Sequence, residues 1–345
     1  MPLLAVDVGA GTQDILLYDE LIPLEASTKM VLPSPTVLVA GRIDQARSRG
    51  RDVFLAGPTM GGGPSSAAVM RHLKAGLKVY ATTSAAATIN DNLDRVAQIG
   101  VIIQKDAPAR AERISTGDID IPGLKAALGH FDIDLPHEIA VAVQDHGFSP
   151  NRSNRLVRFE HMAAAIKAGG RIENFAYREP PLAMTRMLAA KEYLDQHGLV
   201  SLLMDTGPAA LFGATMDSRF IDPGLIINFG NGHTVAAIVS QGRITALFEH
   251  HTSLLDLRKL QLFISDLCGG TLKNSQVFDD GGHGAFIECV PDAVGSILIT
   301  GPQRDSFLRM GLLKGAVAAS PGGDMMITGC LGLKEAWSRK DRLWR

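Results

Sequence analysis

Short apolar runs alternate with longer stretches of helical periodicity along nearly the whole chain. Residues 3–8, 15–18, 53–56, 78–82, 100–104, 139–144, 200–204, 225–228, 235–239 and 297–300 read as strands. Runs that are apolar at nearly every position belong to strands covered on both faces, so helices are expected on both sides of a sheet. Residues 153–168, with Asn151 or Ser153 as cap, and 182–196, closed by Gly198, carry the helical pattern. The class is α/β. A turn-rich stretch at 216–223 separates two halves, and a basic segment, 338–345, reads as a frayed tail.

Composition narrows this picture. At 345 residues the chain has material for about two domains. Its net charge of −2 provides no global field for nucleic acid or an acidic membrane, so neither partner is expected. The apolar runs fall far short of the roughly 20 residues a membrane helix needs. Asp7 interrupts any N-terminal leader pattern, and Cys268, Cys289 and Cys330 have neither disulfide-framework nor C-x-x-C spacing. A soluble, cytoplasmic protein is expected. Glycine is in excess, 36 residues or about 10%, against a usual share of roughly 7%.

Part of that excess belongs to an internal echo. Residues 4–17 and 225–238 share one plan: an apolar strand, a short acid or amide (Asp7, Asn228), a G-x-G turn (Gly9/Gly11, Gly230/Gly232), then a second apolar strand. Positions 7 and 228 stand 221 residues apart, so each half uses the element once. One such turn is explained by hairpin geometry alone. Two copies point to glycine turns that let backbone N–H groups approach an anion.

At these residues the chain resembles the superfamily of actin, sugar kinases and heat-shock chaperone ATPases, in which two related domains clamp ATP between two phosphate hairpins. Residues 205–213 are similar to that superfamily's first connecting helix, 297–304 to its adenosine motif and 325–332 to its second connecting helix. More narrowly, the chain resembles a prokaryotic family labelled pyruvate formate-lyase activating enzyme. A radical activase needs a cysteine cluster for iron and sulfur, and no C-x-x-x-C-x-x-C is present. The resemblance implies a two-domain actin-like ATPase (ribonuclease H-like) fold with a central cleft and an insertion in the first domain. The expected domains are 1–217, with the insertion around 53–113, and 218–337, followed by the tail.

The resemblance also assigns residues. Asp7 would hold Mg²⁺ through water, while Gly9, Gly11 and Thr12 face Gly230, Gly232 and His233 around the phosphates of ATP. Asn228 stands where many relatives have aspartate, and Gly301-Pro302 where they have two glycines near the adenosine. Asp14 is either a second hairpin acid or a solvated strand residue. Asp145 and Asp205, at strand ends facing the cleft, are candidate catalytic bases or helix caps. The loop 57–64 could be an anion site or a tight turn. The clusters Glu249/His250/His251 and Asp279/Asp280/His283 hold enough ligand types for a divalent metal but match no metal spacing, and read as solvated loop or interface residues; Arg152, Arg155 and Arg158 read as a solvated helix face or a hold for an acidic substrate or partner.

The expected function is an Mg-ATP-dependent kinase or phosphotransferase acting on a small molecule. The alternative is a nucleotide-dependent switch or binding protein with little hydrolysis, read by a protein partner. Self-association stays open.

Overall fold

The computed structural model describes residues 2–150, 152–309, 311 and 313–343. Within them the chain forms three sheets. Strands β1 (Leu3–Val8), β2 (Thr12–Tyr18) and β3 (Thr28–Pro33) make a meander. Strands β4 (Val53–Ala56), β5 (Val79–Ala81), β6 (Val101–Ile103) and β7 (Glu112–Ser115) build a separate parallel sheet, ordered β6-β5-β4-β7. Strands β8 (Glu138–Val143), β9 (Ala176–Tyr177) and β10 (Val200–Met204) return to the meander and complete the order β3-β2-β1-β8-β10-β9. The second half runs through β11 (Gly224–Phe229), β12 (His233–Ser240), β13 (Arg243–His251), β14 (Gly284–Ile287), β15 (Ser296–Thr300) and β16 (Val317–Ala318). Its order is β14-β13-β12-β11-β15-β16.

Without β9 and β14 the two large sheets reduce to one plan. An antiparallel meander comes first, and its first strand then pairs in parallel with a later strand, β8 or β15, which pairs in parallel with another, β10 or β16. After each repeat comes a helix, Thr206–Ala214 or Thr328–Ser338, and the two cross at the centre of the molecule. Two such repeats joined by crossing helices are the actin-like ATPase fold. Glycine makes the crossing close: a Cβ on Gly213 would collide with the Thr328 carbonyl oxygen, and one on Gly332 with that of Ala209. One core spans this contact, drawing Leu202 and Met204 from the first sheet, Ile226 and Leu298 from the second, and Leu211 and Leu331 from the helices.

The inserted sheet has its own core of Ile43, Val53, Leu55, Val69, Val79 and Val96. Ile43 lies on the helix Pro35–Ser48, so the inserted unit starts upstream of β4. Several strands escaped the apolar reading. In β13 the apolar run continues into Glu249 and His250, which are buried inside the strand rather than placed in a loop after it. The segment read as a frayed tail contains a short helix, Lys340–Leu343, and Lys340 pairs with Glu138 at 3.0 Å. Asn151, Trp344 and Arg345 lie outside the described residues. Among the described residues no helix is long and apolar enough to cross a membrane.

Candidate functional site

The two meanders turn their hairpins toward one another across a cavity of about 450 Å³. In each hairpin the same hydrogen bond closes the turn: Gly9 N–H donates to the Thr12 carbonyl at 2.9 Å, and Gly230 N–H to the His233 carbonyl at 3.0 Å. The equivalence of residues 221 apart therefore extends to backbone geometry. The turns nearly touch, because a Cβ on Gly11 would stand 2.7 Å from Asn231 Nδ2. Gly9, Gly11, Thr12, Gly230, Gly232 and His233 all line the cavity. Asn228, Gly301 and Pro302 line it as well. Gly301, at φ +92°, follows β15, and a Cβ there would collide with Asn228 Oδ1. That close packing accounts for the glycine.

Asp7 and Asp14 are paired across the first hairpin and face the same cavity. Each has an Oδ1 atom that is buried with no hydrogen-bond partner. Burial, then the neighbouring charges of Asp14 and Asp205, push the Asp7 carboxyl well above the usual range. Burial also pushes Asp14 up to about 7, aided by Asp324 and opposed by the Thr12 hydroxyl. Two adjacent carboxyls with orphaned oxygens fit a hard divalent cation, since Mg²⁺ takes oxygen ligands and keeps several waters. Asp14 is thus a second hairpin acid and not a solvated strand residue.

The two candidate bases are engaged elsewhere. One oxygen of Asp145 accepts Gly147 N–H at 2.8 Å and the other Met187 N–H at 2.9 Å. Asp205 caps the Thr206–Ala214 helix through Gly207 N–H at 3.0 Å, and both its oxygens take Arg158 N–H groups at 2.5 and 2.9 Å. Neither carboxylate presents a free oxygen to the cavity.

Arg158 departs furthest from its sequence reading. It is 1% exposed, not solvated, and its guanidinium reaches Asp205, Glu249 at 2.7 and 2.9 Å, and the Asp145 carbonyl at 2.7 Å. Glu249 comes from the second half, so the ion triad ties the two repeats together. Burial opposes the charge on Glu249, but Arg158 wins and holds its pKa below the usual range. Arg155 donates to the Gly282 carbonyl at 2.7 Å, and only Arg152, paired with Glu160, sits on a solvated face. Arg158 stands one four-residue step before the apolar pair Met162 and Ile166, on the face the helix buries, and that spacing carried the missed signal.

The inserted unit supplies the far wall. Thr59–Gly63 lines the cavity, with Gly61 N–H donating to Asp118 at 3.1 Å. Arg186 grips the same Asp118 at 2.7 Å and the Gln144 carbonyl at 2.7 Å, fixing the loop to the end of β8. Tertiary contacts therefore hold this loop in place against the end of β8. Of the histidines read as loop residues, His283 joins His146 and His233 instead: the three present ring nitrogens within 4.8 Å of one another. The three cysteines do not form such a group among the described residues, and Cys330 is buried against the Asp14 carbonyl at 3.2 Å.

A family model described as "Putative pyruvate format-lyase activating enzyme (DUF1786)" matches residues 60–306. No curated protein matches by sequence. Among solved structures, the chain is similar to the ethanolamine utilization protein EutJ from Carboxydothermus hydrogenoformans, at 12% identity over 96% of this chain and 89% of that one, TM-score 0.31. It is similar also to a "putative N-acetylmannosamine kinase" from Listeria monocytogenes, at 12% identity over 99% and 100%, TM-score 0.39. A third is a Bacteroides thetaiotaomicron protein of actin-like ATPase fold and unknown function, at 6% identity over 96% and 95%, TM-score 0.39. Such distant likenesses add nothing to the strand order as grounds for the fold.

Proposed function

The chain belongs to the family so described, and we propose that it binds Mg-ATP between its two glycine hairpins and uses the nucleotide to set the angle between its halves. The observation that carries this reading is the pair of hairpins, closed by the same hydrogen bond, facing one another over Asp7 and Asp14 with their orphaned oxygens. Backbone N–H groups in glycine turns suit phosphate oxygens, because no side chain keeps the anion at a distance. Thr12 and His233 flank the same space. Held by Asp7 and Asp14, Mg²⁺ would neutralise phosphate charge that the carboxylates alone repel. Gly301 and Pro302, at the end of β15, would lie toward the nucleoside.

A switch ranks above a kinase because Asp145 and Asp205 are committed to backbone and arginine partners. Phosphoryl transfer to a small acceptor is the second reading. It is favoured by the polar far wall, where Asp91 accepts from Thr185 at 2.8 Å and leaves room beside the hairpins. The family's descriptive name implies radical chemistry, for which the dispersed cysteines offer no cluster.

Small-angle X-ray scattering tests the switch. Saturating Mg-ATP and Mg-ADP should give distinct radii of gyration, both smaller than that of the free chain. Identical profiles in all three states would refute a nucleotide-set angle.

A further inference from the structure

We propose that His146, His233 and His283 form a mononuclear site for a transition-metal ion of the zinc or cobalt type, bridging the two halves at the floor of the cleft. This does not rest on nucleotide binding, and the site is chemically distinct from the Asp7/Asp14 pair. Hard Mg²⁺ prefers oxygen, whereas imidazole suits Zn²⁺, Co²⁺ and their neighbours.

Three elements bring the ligands together. His146 follows β8 in the first repeat, His233 opens β12 in the second, and His283 precedes β14. Their ring centroids stand 5.3, 5.4 and 4.8 Å apart. His283 is 0% exposed and neither ring nitrogen has a hydrogen-bond partner; Nε2 of His233 is likewise buried and unpartnered. Polar atoms buried in this way are rare without a ligand, because each loses its water and gains nothing in return. Here three imidazoles each offer one nitrogen to the same small space.

The surroundings suit a cation despite the nearby Arg158. Its positive charge is outweighed by Asp205 and Glu249, so the triad carries a net negative charge beside the histidines. Burial outweighs the opposing charge of Glu249 and, with Arg158, holds the imidazoles in their neutral, ligating form, with His233 at about 4 and His283 at about 3. Nitrogens bound to one zinc at about 2.0–2.1 Å lie about 3.3 Å apart, so the present spread of up to 4.8 Å contracts modestly on binding. His146 and His233 line the cavity, so the fourth coordination position opens into it. Three protein ligands and one open position are the arrangement of a catalytic rather than a structural zinc site. Water or an oxygen of a cleft ligand completes it. His251, whose ring lies 4.7 Å from His233 and 4.9 Å from His283, shields the far side.

The test uses the full chain without an affinity tag, stripped by chelator and titrated with Co²⁺ while visible absorption is followed. Calorimetry with Zn²⁺ gives the stoichiometry. One equivalent per chain is expected, with the intense d–d bands of a low-coordinate site, and competition by Zn²⁺. His283→Gln and His146→Gln should each weaken binding at least about tenfold, while exposed His197→Gln leaves it unchanged. If His283→Gln does not fold, the half-buried His146 variant and the wild-type titration decide. Substoichiometric binding by the wild type, or wild-type affinity in the folded His146→Gln or His283→Gln chain, overturns the proposal.

Discussion

Arg158→Leu should lose about 3–5 kcal/mol of stability, because it strands two buried carboxylates without a counter-charge. Asp205 and Glu249 are both nearly inaccessible and both rely on the Arg158 guanidinium, at 2.5 and 2.7 Å. Burial alone would lower the arginine's pKa, yet Asp205 and Glu249 raise it above its usual value, which marks the strength of the coupling. The loss extends beyond stability, since Asp205 caps the helix at the repeat crossing and Glu249 belongs to the other repeat. Denaturant unfolding followed by circular dichroism reads the effect. The triple variant Arg158→Leu, Asp205→Asn, Glu249→Gln should recover much of it, because no unpaired charge then remains. A single-variant loss below about 1 kcal/mol would show that water reaches the triad and screens it.

Asp14→Asn should have opposite effects on the metal-free and the liganded protein. The Asp14 carboxyl is raised from 3.8 to about 7 in the folded chain. A raised acid contributes its full stability below its ordinary pKa and loses it as pH rises through the folded value. Between about pH 4 and pH 7 the wild type therefore loses, through this group, about three pKa units at about 1.4 kcal/mol each, or roughly 4 kcal/mol. The amide carries no such loss. Metal-free Asp14→Asn should gain on the wild type across that window and reach a plateau above pH 7. The histidines shape both proteins alike: His233 and His283 have lowered values, so their contribution is present above about 6.5 and is lost as pH falls toward 4 and 3. The difference between variant and wild type reads Asp14 together with its charge coupling to Asp7. With Mg-ATP present the order should reverse, because the variant replaces one of the two carboxylates offered to the cation by a neutral amide. A variant no more stable than wild type at pH 7.5 without metal would refute the strained carboxylate pair.

Much of the fold was legible because its strongest signals are local. A Cβ would crowd the turn at Gly9 and collide at Gly230, and the apolar strands leading into Asp7 and Asn228 were continuous, so the duplicated hairpin was visible at 221-residue spacing. Strand β13 was half visible: its middle, 244–248, is largely apolar, but Glu249 and His250 are buried because Arg158 and Asp280 come to meet them from elsewhere in the chain. The same limit hid the histidine cluster. His146 and His283 are 137 residues apart and meet only after both repeats have formed and crossed. Asp145 and Asp205 were correctly placed at strand ends, but their hydrogen-bond partners Met187 and Arg158 could not be known from position alone.

The nucleotide reading stands or falls on titration calorimetry of the full chain with ATP and ADP, with and without Mg²⁺. Saturable heat at one site per chain, dependent on Mg²⁺ and weakened at least about tenfold by Asp7→Asn, is the predicted result. No heat and no thermal shift at millimolar nucleotide would contradict it.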